Sequence, residues 1–370
     1  MHRTLTALAV AGAFVGSAAA ADVTLYGIMD TGLQYLHTNP SIGPSSHSLS
    51  MKNGGHFGNR FGFKGTEDLG NGYKVGFILE NGFTGDDGKF GMAGRLWGRE
   101  ARLYVQGPAG EFSMGRMGKL TAGMSSVSLA GRTGAFIAAW GDIKTAAALT
   151  YLVGHVPTSG DNMIHYKSPN MAGWQIHAQY SGNLDTNVAD TVENKSSGNR
   201  YGALAATYAN GPLNFMTIAE RYGFSNAKGQ TDDGTTLLGT VSYKFDAAKL
   251  YLTAQYFDKI RAFAGGWAKN DLMANDKTVD VADGYAVLAS ADVPMAGGTF
   301  KVGFGYTDAE TEENVDISRI GASIGYLYPL SKRTHVYAIG SWSEVERNEI
   351  NADAKTEETL GANVGIVHRF

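Results

Sequence analysis

The side chains able to do chemistry in this chain are charged groups carried on alternating segments. In NRFGFKG, Phe61 and Phe63 share one face, so Arg60 and Lys64 share the other. In YKVGFILE, Tyr73, Val75, Phe77 and Leu79 oppose Lys74, Gly76, Ile78 and Glu80, which puts Glu80 on the inward face. GREARLYV leaves two settings open. If Leu103 and Val105 meet an apolar surrounding, Glu100 and Arg102 point inward; the opposite parity turns Arg99 inward. Arg116 closes EFSMGR, and an inward role and a subunit contact stand equal for it. Such charges make and break no bonds. Around an aqueous space they select ions, over about one Debye length, ~8–10 Å at physiological salt.

Bond-making chemistry finds little support. The nine histidines are dispersed, none in an obvious pair or metal spacing, and His335 and His368 read as lining or interfacial groups. No phosphate or dinucleotide glycine motif is present. No cofactor or metal is expected. The net charge of −4 gives no reason to expect nucleic acid as a partner.

The elements that must position these charges are strands. Residues 1–20 have a short basic start (His2, Arg3), an apolar run from Leu5 to Val15 and an A-x-A ending, the pattern of a secretory signal peptide. Residues 21–370 form the expected exported domain. An exported chain with no Cys does not rely on disulfides. Its 50 Gly, 18 Tyr and 17 Phe against 8 Pro fit many strands and tight turns. About sixteen alternating segments follow. They begin near Val23, His56, Tyr73, Arg95, Glu111, Asn162, Trp174, Arg200, Leu213, Thr235, Lys249, Tyr285, Thr299, Ile317, Thr334 and Thr359. Each is about ten residues, enough to cross an apolar membrane core at a ~45° tilt.

Short turns such as GPAG, NGP and PLSKR alternate with long polar connections. The long ones include Thr38 to Gly55, Ser181 to Asn199, Lys259 to Gly284 and Glu344 to Glu358. Acidic stretches such as TDAETEEN would sit at the mouth. A soluble sandwich also alternates, but its strands usually run ~5–6 residues. The sustained long/short rhythm and the aromatic ends of the apolar faces favour an all-β, antiparallel transmembrane β-barrel.

The blocks VTLYGIMDTGL, NRFGFKGTEDLGNGYKVGFILENGF, WGREARLYVQGPAGEFSMGR, IHYKSPNMAGWQIHAQYS, YPLSKRTHVYAIGSW and GIVHRF resemble the general porins of Gram-negative bacteria, especially the trimeric beta-proteobacterial type. The resemblance implies a sixteen-stranded outer-membrane barrel with short periplasmic turns and long extracellular loops. It also implies a homotrimer in outer-membrane lipid, passing small hydrophilic solutes and inorganic ions. In this family the third long loop folds inward and narrows the channel. Here that is the stretch from about Lys119 to Gly160, whose apolar content suits packing on an inner wall and whose Phe136 and Trp140 are its candidate aromatics.

The resemblance places Arg60 and Arg99 at the constriction; Lys64 joins them by strand parity, and Arg116 is a further candidate there. The resemblance also expects acidic groups on the loop, and the chain departs there. Asp142 is the loop's only carboxylate, against Arg132, Lys144 and His155, and Glu80 can supply a second from the wall. That balance points to weak anion preference. A substrate-specific channel is the main alternative, and a barrel-fold enzyme a lesser one. The last strand closes the sheet against the first, and Phe370 resembles the signal read by the outer-membrane assembly machinery.

Overall fold

A computed structural model describes residues 22–92, 94–123, 125–136, 159–187, 191–223, 233–261, 281–312, 314–349 and 353–370. The signal segment, Trp140 and Asp142 lie outside the described residues, as do Lys144, Tyr151 and His155.

Alternating residues form strands here because one face meets lipid and the other meets the barrel interior. In chain order they are β1 (Thr24–Pro40), β2 (Ser46–Asn53), β3 (Arg60–Gly70), β4 (Tyr73–Gly82), β5 (Glu100–Gly107) and β6 (Gly110–Gly118). Then come β7 (Ser159–Lys167), β8 (Trp174–Ser181), β9 (Arg200–Asn210), β10 (Leu213–Gly223), β11 (Gly234–Lys244) and β12 (Lys249–Arg261). The last are β13 (Val281–Met295), β14 (Gly298–Thr311), β15 (Asp316–Pro329), β16 (Thr334–Asn348) and β17 (Lys355–Arg369). β1 pairs β2 and β3, consecutive strands from β3 onward pair antiparallel, and β1 pairs β17 from Ile28↔Arg369 to Pro40↔Glu357. β2 pairs the far half of β1 and β3 its near half, so these two segments share one position. The result is a closed barrel of sixteen positions among the described residues. Closure is a physical requirement, since an open edge in hydrocarbon would leave backbone groups unpaired.

Burial is inverted relative to a soluble protein. Leu33, Leu103, Met114, Leu204, Leu237, Leu252, Phe304 and Val364 are exposed on the outside. Ser113, His165, Thr240, Thr253, Ser290, Ser323 and Asn363 are buried on the inside. Aromatic pairs mark the turn end of the outer face: Trp174 with Tyr208 at 4.8 Å between centroids, and Tyr243 with Phe245 at 4.6 Å. They form the interfacial girdle such a barrel needs. Phe370 joins that end. Its backbone exchanges hydrogen bonds with Gly27, N–O 3.1 and 3.0 Å, and its ring lies over the Gly27 Cα.

Three expectations are corrected. The stretch from Thr38 to Gly55 is largely strand, because β1 runs to Pro40 and β2 pairs with it. TDAETEEN and the Glu344–Glu358 connection are also mostly strand, belonging to β14, β16 and β17. These strands outrun the membrane core. The outward positions there are polar or charged, such as Asp308, Glu310, Glu344, Glu346 and Glu358, so the apolar alternation that reports a strand fades although inward residues such as Ala309 and Val345 stay buried.

Candidate functional site: the lumen and its inward segments

The described chain after β6, residues 119–123 and 125–136, turns into the barrel and is tied to the wall at several points. Lys119, Leu120, Thr121 and Phe136 are buried. Leu120 N donates to Gln179 Oε1 on β8 at 3.0 Å, and Thr121 Oγ1 donates to Glu220 Oε1 on β10 at 2.7 Å. The Glu220 carboxylate also accepts Tyr201 (2.7 Å), Tyr222 (3.0 Å) and Thr236 (2.9 Å). Ser126 donates to Glu100 from both its N (2.8 Å) and Oγ (2.6 Å), and Arg102 reaches the same Oγ at 2.9 Å.

After a single 3-10 turn at Ala130–Arg132 the segment reaches the far wall. Thr253 Oγ1 on β12 donates to Thr133 O at 2.6 Å. Ala135 N donates to Ser290 Oγ on β13 at 3.0 Å, and Lys301 Nζ on β14 donates to Ala135 O at 2.9 Å. Phe136 packs on Gly303, where a Cβ would lie 3.2 Å from its ring. The described part of the predicted loop thus crosses the interior from β5, β8 and β10 to β12–β14. Burial pushes the Arg132 guanidinium below its ordinary value, which is high enough that it stays charged.

The predicted wall charges gather beside it. Arg99 Nε donates to Glu80 Oε1 at 2.6 Å, Arg60 Nη1 stands 3.9 Å from the same oxygen, and Tyr26 donates to Oε2 at 3.0 Å. Two guanidinium groups therefore share one carboxylate. Lys64 lies on the same face, exposed, with Nζ 5.3 Å from the Tyr26 ring centroid. The choice between Arg99 and Arg102 dissolves. Arg102 points inward from β5, with Nε 2.9 Å from Glu100 and Nη1 2.6 Å from Glu111. Arg99 precedes the first strand residue, so strand parity does not bind it, and it too turns inward onto Glu80. Arg116 pairs with Asp161, which also holds Arg95 at 3.0 Å, and donates from Nε to Gly98 O at 2.7 Å. A bulge between Gly115 and Met117 re-aims it. Gly115 sits at φ +128, and a Cβ there would lie 2.1 Å from Ala101 O.

Sequence reasoning missed a second inward segment. The break between β2 and β3, Gly54–Asn59, tucks inside the barrel. Asp30 holds it by accepting His56 N (2.7 Å), Phe57 N (2.6 Å) and Tyr337 Oη (2.8 Å). It brings His56 Nδ1 to 2.9 Å from His335 Nε2. His165 and His177 also stack, 3.3 Å between ring nitrogens. Four of the nine histidines are thus paired in space though dispersed in sequence. Glycines 54, 55 and 58, breaking an alternating run, were the available signal. Among the described residues no three His, Cys, Asp or Glu groups are placed to hold a metal.

A barrel of sixteen strands with a polar interior, lipid-facing apolar residues and inward segments is an outer-membrane channel architecture. The comparisons agree. A family model for the Gram-negative porin matches residues 4–348. An outer membrane porin protein of Bordetella pertussis is 31% identical, with both chains covered completely. The structure of an anion-selective porin from Comamonas acidovorans superposes with a TM-score of 0.63 at 24% identity, covering 95% of this chain and 100% of that one. The trimer form of OmpT from Vibrio cholerae gives 0.61 at 14% identity, covering 95% and 100%. The chain belongs to the Gram-negative porin family, outer-membrane channels of Gram-negative bacteria.

Proposed function

We propose that the barrel is a passive diffusion channel for small hydrophilic solutes and inorganic ions with a weak preference for anions, working as a homotrimer and not as an enzyme. The observation that carries the anion preference is the pairing of Arg60 and Arg99 on the single carboxylate of Glu80. One positive charge is left over where the inward segments approach the wall, and such a charge raises the local concentration of anions. Arg132 adds to that sign, Arg95 and Arg116 are offset by Asp161 and Asp185, and Arg102 faces both Glu100 and Glu111, an excess of one negative charge that keeps the preference weak. The name of the Comamonas neighbour points the same way, and the trimeric Vibrio neighbour supports the assembly.

Residues 1–20 serve in this reading as the export signal and residues 21–370 as the barrel. Phe370 is the group offered to the assembly machinery, and Trp140 and Asp142 belong to the constricting loop. Planar-bilayer recording tests the whole reading. Purified protein should insert as units closing in three equal steps, and a KCl gradient should give a reversal potential of the anion-preferring sign. A cation-preferring potential would overturn the charge count, and absence of conductance would overturn the channel.

A further inference from the structure

One charged group stands apart from the clusters above. Arg319 lies on β15 with Ile317, Gly321 and Ser323, on the face opposite the exposed Ile324, and so points into the barrel. It is three residues from the loop end of its strand and only 4% exposed. Its Nε and Nη2 have no hydrogen-bond partner. These two nitrogens form the side edge of the guanidinium, and their N–H bonds run parallel, the geometry that grips two oxygens of one oxyanion. No side chain of the neighbouring strands competes for that edge. Across the ladder stand Thr307 on β14 and the apolar, buried Val345 on β16, and the next inward pair toward the turn end, Gly305 and Gly321, carries no side chain. On the same wall Glu357 stands two strands away, opposite Val345, and has a partner of its own.

A buried charge without a counter-charge is among the most destabilising groups a fold can hold. Most other inward arginines described here have one. Arg60 and Arg99 share Glu80, Arg102 has Glu100 and Glu111, and Arg347 has Glu349. The wall below Arg319 is also rich in unsatisfied polar atoms. Ser323 Oγ and Ser341 Oγ, on register partners of β15 and β16, and both amide atoms of Asn363 on β17 lack partners.

We propose that Arg319 is an oxyanion-binding site near the loop end of the lumen, taking inorganic phosphate or a carboxylate solute side-on. This rests on the channel reading and adds a saturable site to it, separate from the Arg60–Glu80–Arg99 cluster.

The test is chloride current through single wild-type channels with inorganic phosphate added on the loop side. Phosphate should reduce the current saturably. In Arg319→Gln the half-blocking phosphate concentration should rise about tenfold, the scale of a lost charge-assisted pair. Arg319→Lys keeps the charge and loses the fork, so it should weaken the block by a smaller factor. It also serves if Arg319→Gln gives no folded barrel. Unchanged block in both variants would overturn the proposal. So would a block abolished by Arg60→Ala and retained in Arg319→Gln. No conductance from the wild type would instead remove the channel reading on which the proposal stands.

Discussion

Replacing Glu80 by Gln removes the charge that offsets Arg60 and Arg99 and keeps the shape of the side chain. The Oε1 that accepts Arg99 at 2.6 Å can still accept as an amide oxygen, so the cluster should remain folded. The lumen then gains one net positive charge. For an ion passing about 8 Å away through water, a unit charge is worth about 0.5 kcal/mol without screening. Anions gain that amount and cations lose it, a difference of about 1 kcal/mol, or about fivefold in permeability ratio at low salt. At physiological salt, one Debye length of screening reduces this to about twofold. The assay is the reversal potential of single channels in a KCl gradient, taken at low and at physiological ionic strength. A shift toward anions that shrinks with salt is expected. No shift at low salt, or a shift toward cations, in a channel of native conductance would refute the placement of Glu80 beside the permeation path.

Glu220→Ala should strip the inward segment of its anchor on β10. Four hydroxyl donors lose their acceptor, each worth about 1–3 kcal/mol if left buried and unpaired, so thermal stability should fall and channel noise rise. Equal melting and quiet current would count against the anchoring role. Gly303→Leu should push Phe136 off the β14 wall, because even a Cβ meets the ring at 3.2 Å, and single-channel conductance should change while the barrel survives denaturing gels unheated. Gly115→Ala should destabilise the β5–β6 region through both its φ of +128 and the 2.1 Å approach to Ala101 O, read as a lower unfolding temperature. Arg60→Ala should shift the reversal potential toward cations, opposite in sign to Glu80→Gln.

Much of the barrel was legible because lipid imposes a strict period of two. Segments such as YKVGFILE and TFKVGFGYT carry that period, and β4, β8, β9, β10, β12 and β16 begin at the residue named from sequence. β2 was not legible. Its residues Ser46, Ser48, Ser50 and their neighbours are exposed on both faces, so no alternation marks them. The outer parts of β14, β16 and β17 were read as acidic loops because their outward positions are charged or polar, while their inward residues alternate as buried. Arg60, Lys64 and Glu80 followed from parity within a strand. Arg99 did not, since it stands one residue outside β5 where parity no longer applies.

By itself the sequence determined which residues face lipid, which face inward, and where the short turns fall. Each of these is local, set by a two-residue period and by the backbone needs of Gly, Pro, Asn and Asp. Only the tertiary structure decided which inward residues meet. His56 and His335 are 279 positions apart and come within 2.9 Å because the barrel closes at one register. Glu80 serves two arginines, Arg116 is taken by Asp161, and Arg319 is left with none, although all four are the same residue type along the chain. Charge pairing depends on distances across the lumen, and those are fixed by strand number, shear and the course of the inward segments, none of which a local pattern encodes.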